Sequence, residues 1–418
     1  MASHASADAR AEALATPLDK INVARPELFQ ADAHWAFFER LRREAPVHYC
    51  PEHEFGPYWS ITRYQDIMAV DTNHQVFSSE SSLGGITIAG AAGLDEPFRM
   101  FISMDPPKHD VQRKAVSPIV SPANLKTFAP IIRQRAAECL DSLPIGETFD
   151  WVDRVSIELT TQMLATLFDF PFEDRRKLAR WSDVATAIPG RGIVDTIEQK
   201  TRELGECYAS FTGLWNQRVN AAPANDLISM LAHTPATRNM DPREYYGNVI
   251  LLIVGGNDTT RNTLSGSVLA MHQNPAERAK LLANPDLLPG MVSETIRWQT
   301  PLAHMRRTAL TDVVFGGKRI RAGDKVVMWY ISGNRDDTVI ENPDSFLIDR
   351  ARPRSHMSFG FGIHRCVGNR LAELQLQIVW EEILKRFPVI EVVGEPKRTF
   401  STFVHGYEHL PVRIPRRF

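Results

Sequence analysis

Cysteine is scarce in this chain, with four in 418 residues, at positions 50, 139, 207 and 366. Such wide scatter excludes a disulfide framework and fits a reducing compartment, so a cytoplasmic location is expected. It also leaves no cysteine cluster for an iron–sulfur centre. No stretch reaches the ~18 apolar residues that a membrane span requires. Residues 1–15 are Ala-rich, carry Asp8 and Glu12, and lack an apolar segment of the secretory kind. They read as a mobile tail or a short helix. A basic excess is missing as well: 48 Lys and Arg face 50 Asp and Glu, a net charge of −2, which argues against general nucleic-acid binding. Nor does a linker rich in Gly, Ser or Pro divide the chain. With 43% hydrophobic and 23% charged residues, the expectation is a tail over 1–30 and one body over 31–418, folded around a cofactor.

What is present centres on Phe359-Gly360-Phe361-Gly362-Ile363-His364-Arg365-Cys366-Val367-Gly368. The glycines permit backbone angles that residues with a Cβ resist. A helical pattern after Gly368 brings the positive end of a helix near the sulfur, which favours thiolate over thiol. A thiolate so held attacks a substrate or binds a metal, and the loop by itself leaves both open. A dinucleotide-binding fingerprint fails, because Arg365 stands where a third glycine is needed. A zinc site from His356, His364 and Cys366 has the ligand types without a recognised spacing.

A long helix is predicted from Asp241-Pro242-Arg243-Glu244 to just before Asn274-Pro275, with an N-cap, a first-turn proline and Glu three residues after the cap. Tyr246, Val249, Ile250, Ile253 and Val254 make it apolar over a wide face. Gly255-Gly256-Asn257-Asp258-Thr259-Thr260 then interrupts it. Each glycine costs ~1 kcal/mol relative to alanine, and an unpaired buried carboxylate costs more. A purely structural helix avoids such a stretch. The competing account of Thr259 is a hydroxyl bonding back to the helix's own carbonyl.

Other segments read more simply. Trp35, Phe38 and Leu41 share one face of a helix over 33–44, and residues 58–62 alternate like a strand. Gly84 to Gly93 reads as a flexible apolar loop over a ligand pocket, since no Gly-Lys-Ser/Thr follows it. After Pro106-Pro107, His109 and Arg113 fall four apart on one helix face. Gly316-Gly317 reads as a turn and residues 400–404 as a hairpin tip. The spacing of Glu294 and Arg297 recurs at Glu39/Arg42, Glu96/Arg99, Glu173/Arg176 and Glu395/Arg398, which read as surface pairs.

In order along the chain, these stretches resemble the cytochrome P-450 monooxygenases. Phe359, Gly362, His364, Cys366 and Gly368 match that family's haem loop, residues 255–260 its oxygen-helix motif, and Glu294/Arg297 its E-x-x-R. The resemblance implies a mainly α fold with a small β part, a triangular helical prism around haem b. It implies Cys366 as axial iron ligand, whose electron density favours cleavage of bound dioxygen. His109, Arg113, Arg307 and His364 would grip the haem propionates, with Arg306 a competitor of Arg307. Thr259 would position a water and Asp258 deliver protons in a groove opened by a helix kink. Glu294 and Arg297 would lock a buried network behind the cysteine.

Residues 297–307 and 368–375 look like the bacterial branch that hydroxylates terminal methyls of alkanes and fatty acids. Leu252, Val254, Gly255, Leu302, Met305, Phe403 and Val404 would line its apolar pocket. A terpene or steroid hydroxylase is the runner-up, and a non-catalytic haem carrier or sensor the rival from another class. With no flavin or iron–sulfur module in the chain, NAD(P)H-derived electrons would arrive through a separate ferredoxin and ferredoxin reductase.

Overall fold

The strand expected over 58–62 forms as Tyr58–Ile61, and all four of its residues are buried. Their burial follows from a position inside a five-stranded sheet. The order is Val47–Cys50, Tyr58–Ile61, Lys325–Met328, Met305–Ala309, Phe77–Ser78. Tyr58–Ile61 runs parallel to Lys325–Met328, and every other pairing is antiparallel. Gly316 and Gly317, at φ +54° and +72°, close a hairpin between Val313–Phe315 and Lys318–Ile320, as a two-residue turn of this type demands.

This computed structural model describes residues 7–91, 94 and 96–418. The start of the expected tail (1–6) and Ala92, Gly93 and Asp95 near the Gly-rich loop lie outside the described residues. Two compact units make up the chain. The first comprises Met1–Gly90, Gly266–Cys366 and Pro396–Glu408, and the second Ala91–Ser265, Val367–Glu395 and His409–Phe418.

The first unit holds the sheet. Its core packs Phe29, Phe37, Phe38, Leu41, Trp329 and Ile331 together. Residues 7–30, expected as a tail, belong to this core: helix Ala7–Ala15 buries Ala9 and Ala13, and Ile21, Val23 and Leu28 are buried too. The helix expected over 33–44 spans Trp35–Glu44, with Phe38 and Leu41 fully buried.

Behind the cysteine loop lies a polar lock. Arg297 Nη2 meets Glu294 Oε1 at 2.7 Å, the side chains 2% and 0% exposed. Arg297 Nη1 also donates to the carbonyls of Asn334 and Pro343. Asn334 then bonds the Ser358 hydroxyl and the Met357 N–H, the residues that lead into the loop. The expected network is therefore present. Three of the other four copies of the spacing differ from expectation, because proximity in sequence does not decide the partner. Only Glu96–Arg99 is a surface pair. Arg42 instead bonds Ser332, Arg176 pairs with Asp153 and Glu158, and Arg398 pairs with Asp32.

The second unit is mostly helical. Its apolar core draws on helices Pro122–Asp141, Glu158–Phe168, Arg176–Thr186, Ile197–Arg218 and the long helix Pro242–Gln273. The long helix has 32 residues, about 48 Å at 1.5 Å each. Asp241 Oδ1 caps it through the Arg243 N–H. Glu244 does not turn back to the cap; it takes Lys108 and the Gln112 amide, which lie 132 to 136 residues earlier in sequence. The helix after the cysteine, Asn369–Arg386, packs on Pro122–Asp141 and is tied there by Arg133 to Glu381 and Glu382 and by Arg386 to Asp141.

Removing Arg297 leaves buried Glu294 with Arg350 as its remaining cation and takes the donor from the Asn334 carbonyl. Arg297→Ala is expected to lower unfolding stability by about 3–5 kcal/mol, and Arg99→Ala, in the exposed copy, by less than about 1 kcal/mol. Denaturant unfolding of the two variants measures the contrast.

Candidate active site

The cysteine loop is a tight turn held by its own backbone. The Cys366 N–H donates to Phe359 O at 2.8 Å, and a 3-10 turn covers Gly362–His364. Gly360 and Gly362 sit at φ +65° and +62°, where a side chain is strained. At Gly362 a Cβ would also fall 2.7 Å from the Asp71 carbonyl oxygen. Gly368 differs: it caps helix Asn369–Arg386 at φ −89°, and a Cβ there would meet nothing within 4 Å. Its absent side chain leaves room rather than permitting a turn. Cys366 is exposed whereas Cys50, Cys139 and Cys207 are buried, and none of the four forms a disulfide. Burial pushes the Cys139 thiol up to about 12 and raises Cys50 and Cys207 as well, so those three are inert.

A carboxylate from another element holds this loop in place. Asp71, on helix Tyr64–Thr72, accepts from the Phe361 N–H (2.8 Å) and the Tyr330 hydroxyl (2.7 Å) on Oδ2. On Oδ1 it takes Arg307 Nη2 at 2.7 Å, with both side chains almost fully buried. Successive residues of strand Met305–Ala309 point to opposite faces, which separates Arg307 from Arg306. Arg307 lies on the face of the cysteine loop. Arg306 instead donates to the carbonyls of Leu83 and Gly84, and burial pulls its pKa down to about 10. That grip also pins the start of the Gly-rich loop expected to be flexible: a Cβ on Gly84 would sit 2.4 Å from the Arg306 guanidinium. His364 is buried within the turn itself.

In the second unit the long helix runs unbroken through its polar middle. Gly256 is packed, since a Cβ there would lie 2.7 Å from Leu164 Cδ2. Gly255 is exposed, and a Cβ would meet nothing within 4 Å, so open space borders the helix at that turn. The Thr259 hydroxyl, one turn on, donates to Gly255 O at 2.8 Å. The back-bonded geometry weighed against a functional Thr259 is thus the observed one, and it leaves the hydroxyl oxygen as an acceptor. Asp258 is 1% exposed. Its Oδ1 accepts from Ser182 (3.0 Å), Asn257 (2.8 Å) and Arg261 Nη2 (3.0 Å), while Oδ2 has no hydrogen-bond partner. Arg261 Nη2 is shared with Asp183 at 2.7 Å. Burial pushes the Asp258 carboxyl above the ordinary range, with Arg261 opposing and Asp183 reinforcing the rise.

Helix Lys108–Val116 carries His109 and Arg113 on one face, as expected. His109 is buried and Arg113 half-buried, and burial lowers the His109 pKa although its Nδ1 lies 2.8 Å from Asp110. Leu252 and Val254 are half-buried against the second unit's core. In the first unit Leu302 and Val404 form a backbone bridge, the Phe403 carbonyl accepts from Ala303 N–H, and Met305 begins the adjoining strand. The tip over 400–404 lies between strands Lys397–Arg398 and Tyr407–His409, as a hairpin requires. Sequence reasoning missed Asp71, Tyr330, Ser182, Asp183 and Arg261. A carboxylate directly after the apolar run Ile67 to Val70 was the one available signal, and it named no partner.

Each unit by itself carries residues that suit a haem enzyme. In the first, an exposed sulfur on a tight turn is an axial donor by its chemistry. In the second, the long helix has open space at Gly255 and carries the Thr259 hydroxyl and the Asp258 acid. Residues 194–407 match the family model described as Cytochrome P-450. The chain is 35% identical to linalool 8-monooxygenase of Pseudomonas putida, over 94% of this chain and 99% of that one. It is 30% identical to a methyl-branched lipid omega-hydroxylase of Mycobacterium tuberculosis, covering 95% and 96%. The solved structure of CYP153D17 from a Sphingomonas species is 49% identical, with a TM-score of 0.89 over 96% of this chain and all of that one. No helix among the described residues is long and apolar enough to cross a membrane. With the fold, the thiol turn and the acid–hydroxyl helix all in agreement, the chain belongs to the cytochrome P-450 family and is a haem-dependent monooxygenase.

Proposed function

We propose that this monooxygenase hydroxylates terminal C–H bonds of medium- or long-chain alkanes or fatty acids. The haem, when bound, supplies dioxygen activation and the transfer of one oxygen atom to carbon. In this reading Cys366 is its axial thiolate, set by the turn Phe359–Gly368. His109, Arg113, Arg307 and His364 hold its propionates, and Arg307 does so while its Nη2 fixes the loop through Asp71. The observation that carries catalysis, as opposed to carriage, is Asp258. A buried acid with one oxygen unsatisfied is costly, and a carrier or sensor has no use for it. Its raised pKa suits a group that gives up a proton near neutral pH, and the Thr259 oxygen accepts from the water that passes it on.

Terminal selectivity needs a narrow approach, because an internal C–H bond is weaker and reacts first when both can reach. In this reading Leu302, Met305, Phe403 and Val404 of the first unit, and Leu252, Val254 and Gly255 of the second, are the residues assigned to the apolar lining. The relative named an omega-hydroxylase supports this reading. The relative named for linalool favours a compact branched substrate as the second reading. Electrons come from a separate ferredoxin and its NAD(P)H-dependent reductase, which dock near the basic residues around Arg365. Four free cysteines support a cytoplasmic setting.

A chain-length series of alkanes and fatty acids tests the substrate. Terminal alcohols and substrate-induced spectral shifts that peak at one length are expected; shifts from bulky ring compounds alone would remove the reading. Thr259→Ala is expected to divert NAD(P)H from product by about 10²-fold, measured as product per NAD(P)H, and a carrier would show no change. Asp183→Asn leaves Arg261 wholly to Asp258 and so lowers the acid's pKa. The protonated form is then lost at lower pH, and the alkaline limb of the turnover profile should move down. Asp71→Ala strands buried Arg307, at about 3–5 kcal/mol, and a lower haem-to-protein ratio on purification is expected.

A further inference from the structure

Away from the cysteine loop, the first unit buries two histidines that its packing does not satisfy. His34 and His405 are 0% and 4% exposed. His34 Nδ1 lies 3.4 Å from Leu28 O, and His405 Nδ1 lies 2.5 Å from Gln299 O. A main-chain carbonyl only accepts, so each Nδ1 that faces one carries the proton. Each Nε2 is then a lone pair, and neither Nε2 has a hydrogen-bond partner. Burial holds both rings neutral, with pKa values lowered to about 3 and about 4. A histidine whose Nδ1–H is fixed on a carbonyl with Nε2 bare is oriented as metal-bound histidines are.

A carboxylate completes the set. Asp32, held at φ +55°, His34 and His405 each offer one donor atom, and all three atoms lie within 4.8 Å of one another. We propose that Asp32, His34 and His405 form a structural site for a divalent transition metal, zinc above all, that ties the N-terminal segment to the hairpin preceding Tyr407. Two imidazoles and one carboxylate suit zinc, with a fourth place for water from the cleft that Asp32 and His405 line. Donor atoms around tetrahedral zinc stand about 3.4 Å apart, so the widest separation must close by side-chain rotation. Arg398 is the competitor: its Nη2 lies 2.8 Å from Asp32 Oδ2, and it neutralises that carboxylate now. The Trp35 indole N–H holds the other oxygen. Each carboxylate oxygen keeps a further lone pair, and Arg398, partly exposed, can swing toward solvent. Its charge makes the affinity modest.

The test is Zn²⁺ titration of the full-length, haem-loaded protein by calorimetry, with thermal unfolding alongside. One Zn²⁺ per chain is expected, raising Tm by about 3 °C at a hundredfold excess over Kd. His34→Gln and His405→Gln should each weaken it at least about tenfold, and Arg398→Gln should tighten it severalfold. No saturable Zn²⁺, or an affinity indifferent to both histidine variants, would mean a buried water or surface binding and no site. Should a histidine variant fail to fold, Arg398→Gln decides alone: an affinity that does not rise removes the proposal.

Discussion

A buried carboxylate, Asp71, is the fixed point of the sulfur side of this protein. It accepts from the Phe361 N–H, the Tyr330 hydroxyl and the Arg307 guanidinium, so three separate elements meet on one side chain. Taking such a group out of water is costly, and the cost is offset only when every lone pair is met with good geometry. That requirement works in both directions. The same bonds that satisfy Asp71 leave the cysteine loop little freedom, and the loop's positive-φ glycines exist to let backbone approach this carboxylate. A rigid sulfur is what an axial ligand needs, because its distance to a metal then depends on protein geometry and not on side-chain motion.

Asp258, proposed above as the proton donor, contrasts with Asp71 in how its oxygens are satisfied. Asp71 is 2% exposed and Asp258 1%. Asp71 has partners on both oxygens, whereas Asp258 crowds three donors on Oδ1 and leaves Oδ2 bare. An acid wanted only for stability would share its donors evenly. Arg261 does not settle Asp258 either, since one nitrogen serves two carboxylates. Held this way, the acid is charged less readily than an ordinary one and remains tethered, which is the condition for moving a proton without a gap in position.

Much of this was legible in sequence because the relevant signals are local. The turn Gly316-Gly317, the strand at 58–61, the long helix and its odd middle, and the cysteine loop all announce themselves within a few residues. The failures share one cause: they concern partners distant in the chain. Glu244 stands three residues after the cap yet bonds Lys108 and Gln112, and Arg398 stands three after Glu395 yet pairs with Asp32. Periodicity fixes which face a residue occupies, but the identity of the group opposite comes from the fold. The short helix that was one reading of residues 1–15 forms over Ala7–Ala15, but a polar, Ala-rich composition says nothing of the core that its few apolar side chains join.

Thr259 shows how a structure can confirm a competing account without removing the functional one. Its hydroxyl proton is spent on Gly255 O, the arrangement common to threonines on helices. A purely structural threonine would do this equally well, and valine would fill the same space without the bond. The distinction lies in what surrounds the oxygen. Gly255 leaves open space where any larger residue would fill it, and Asp258 adjoins in sequence with an unsatisfied oxygen. A donated proton fixes the hydroxyl's direction, so its lone pairs point at a definite place. Back-bonding then turns a flexible side chain into an oriented acceptor, so the observed bond is compatible with the role proposed for Thr259.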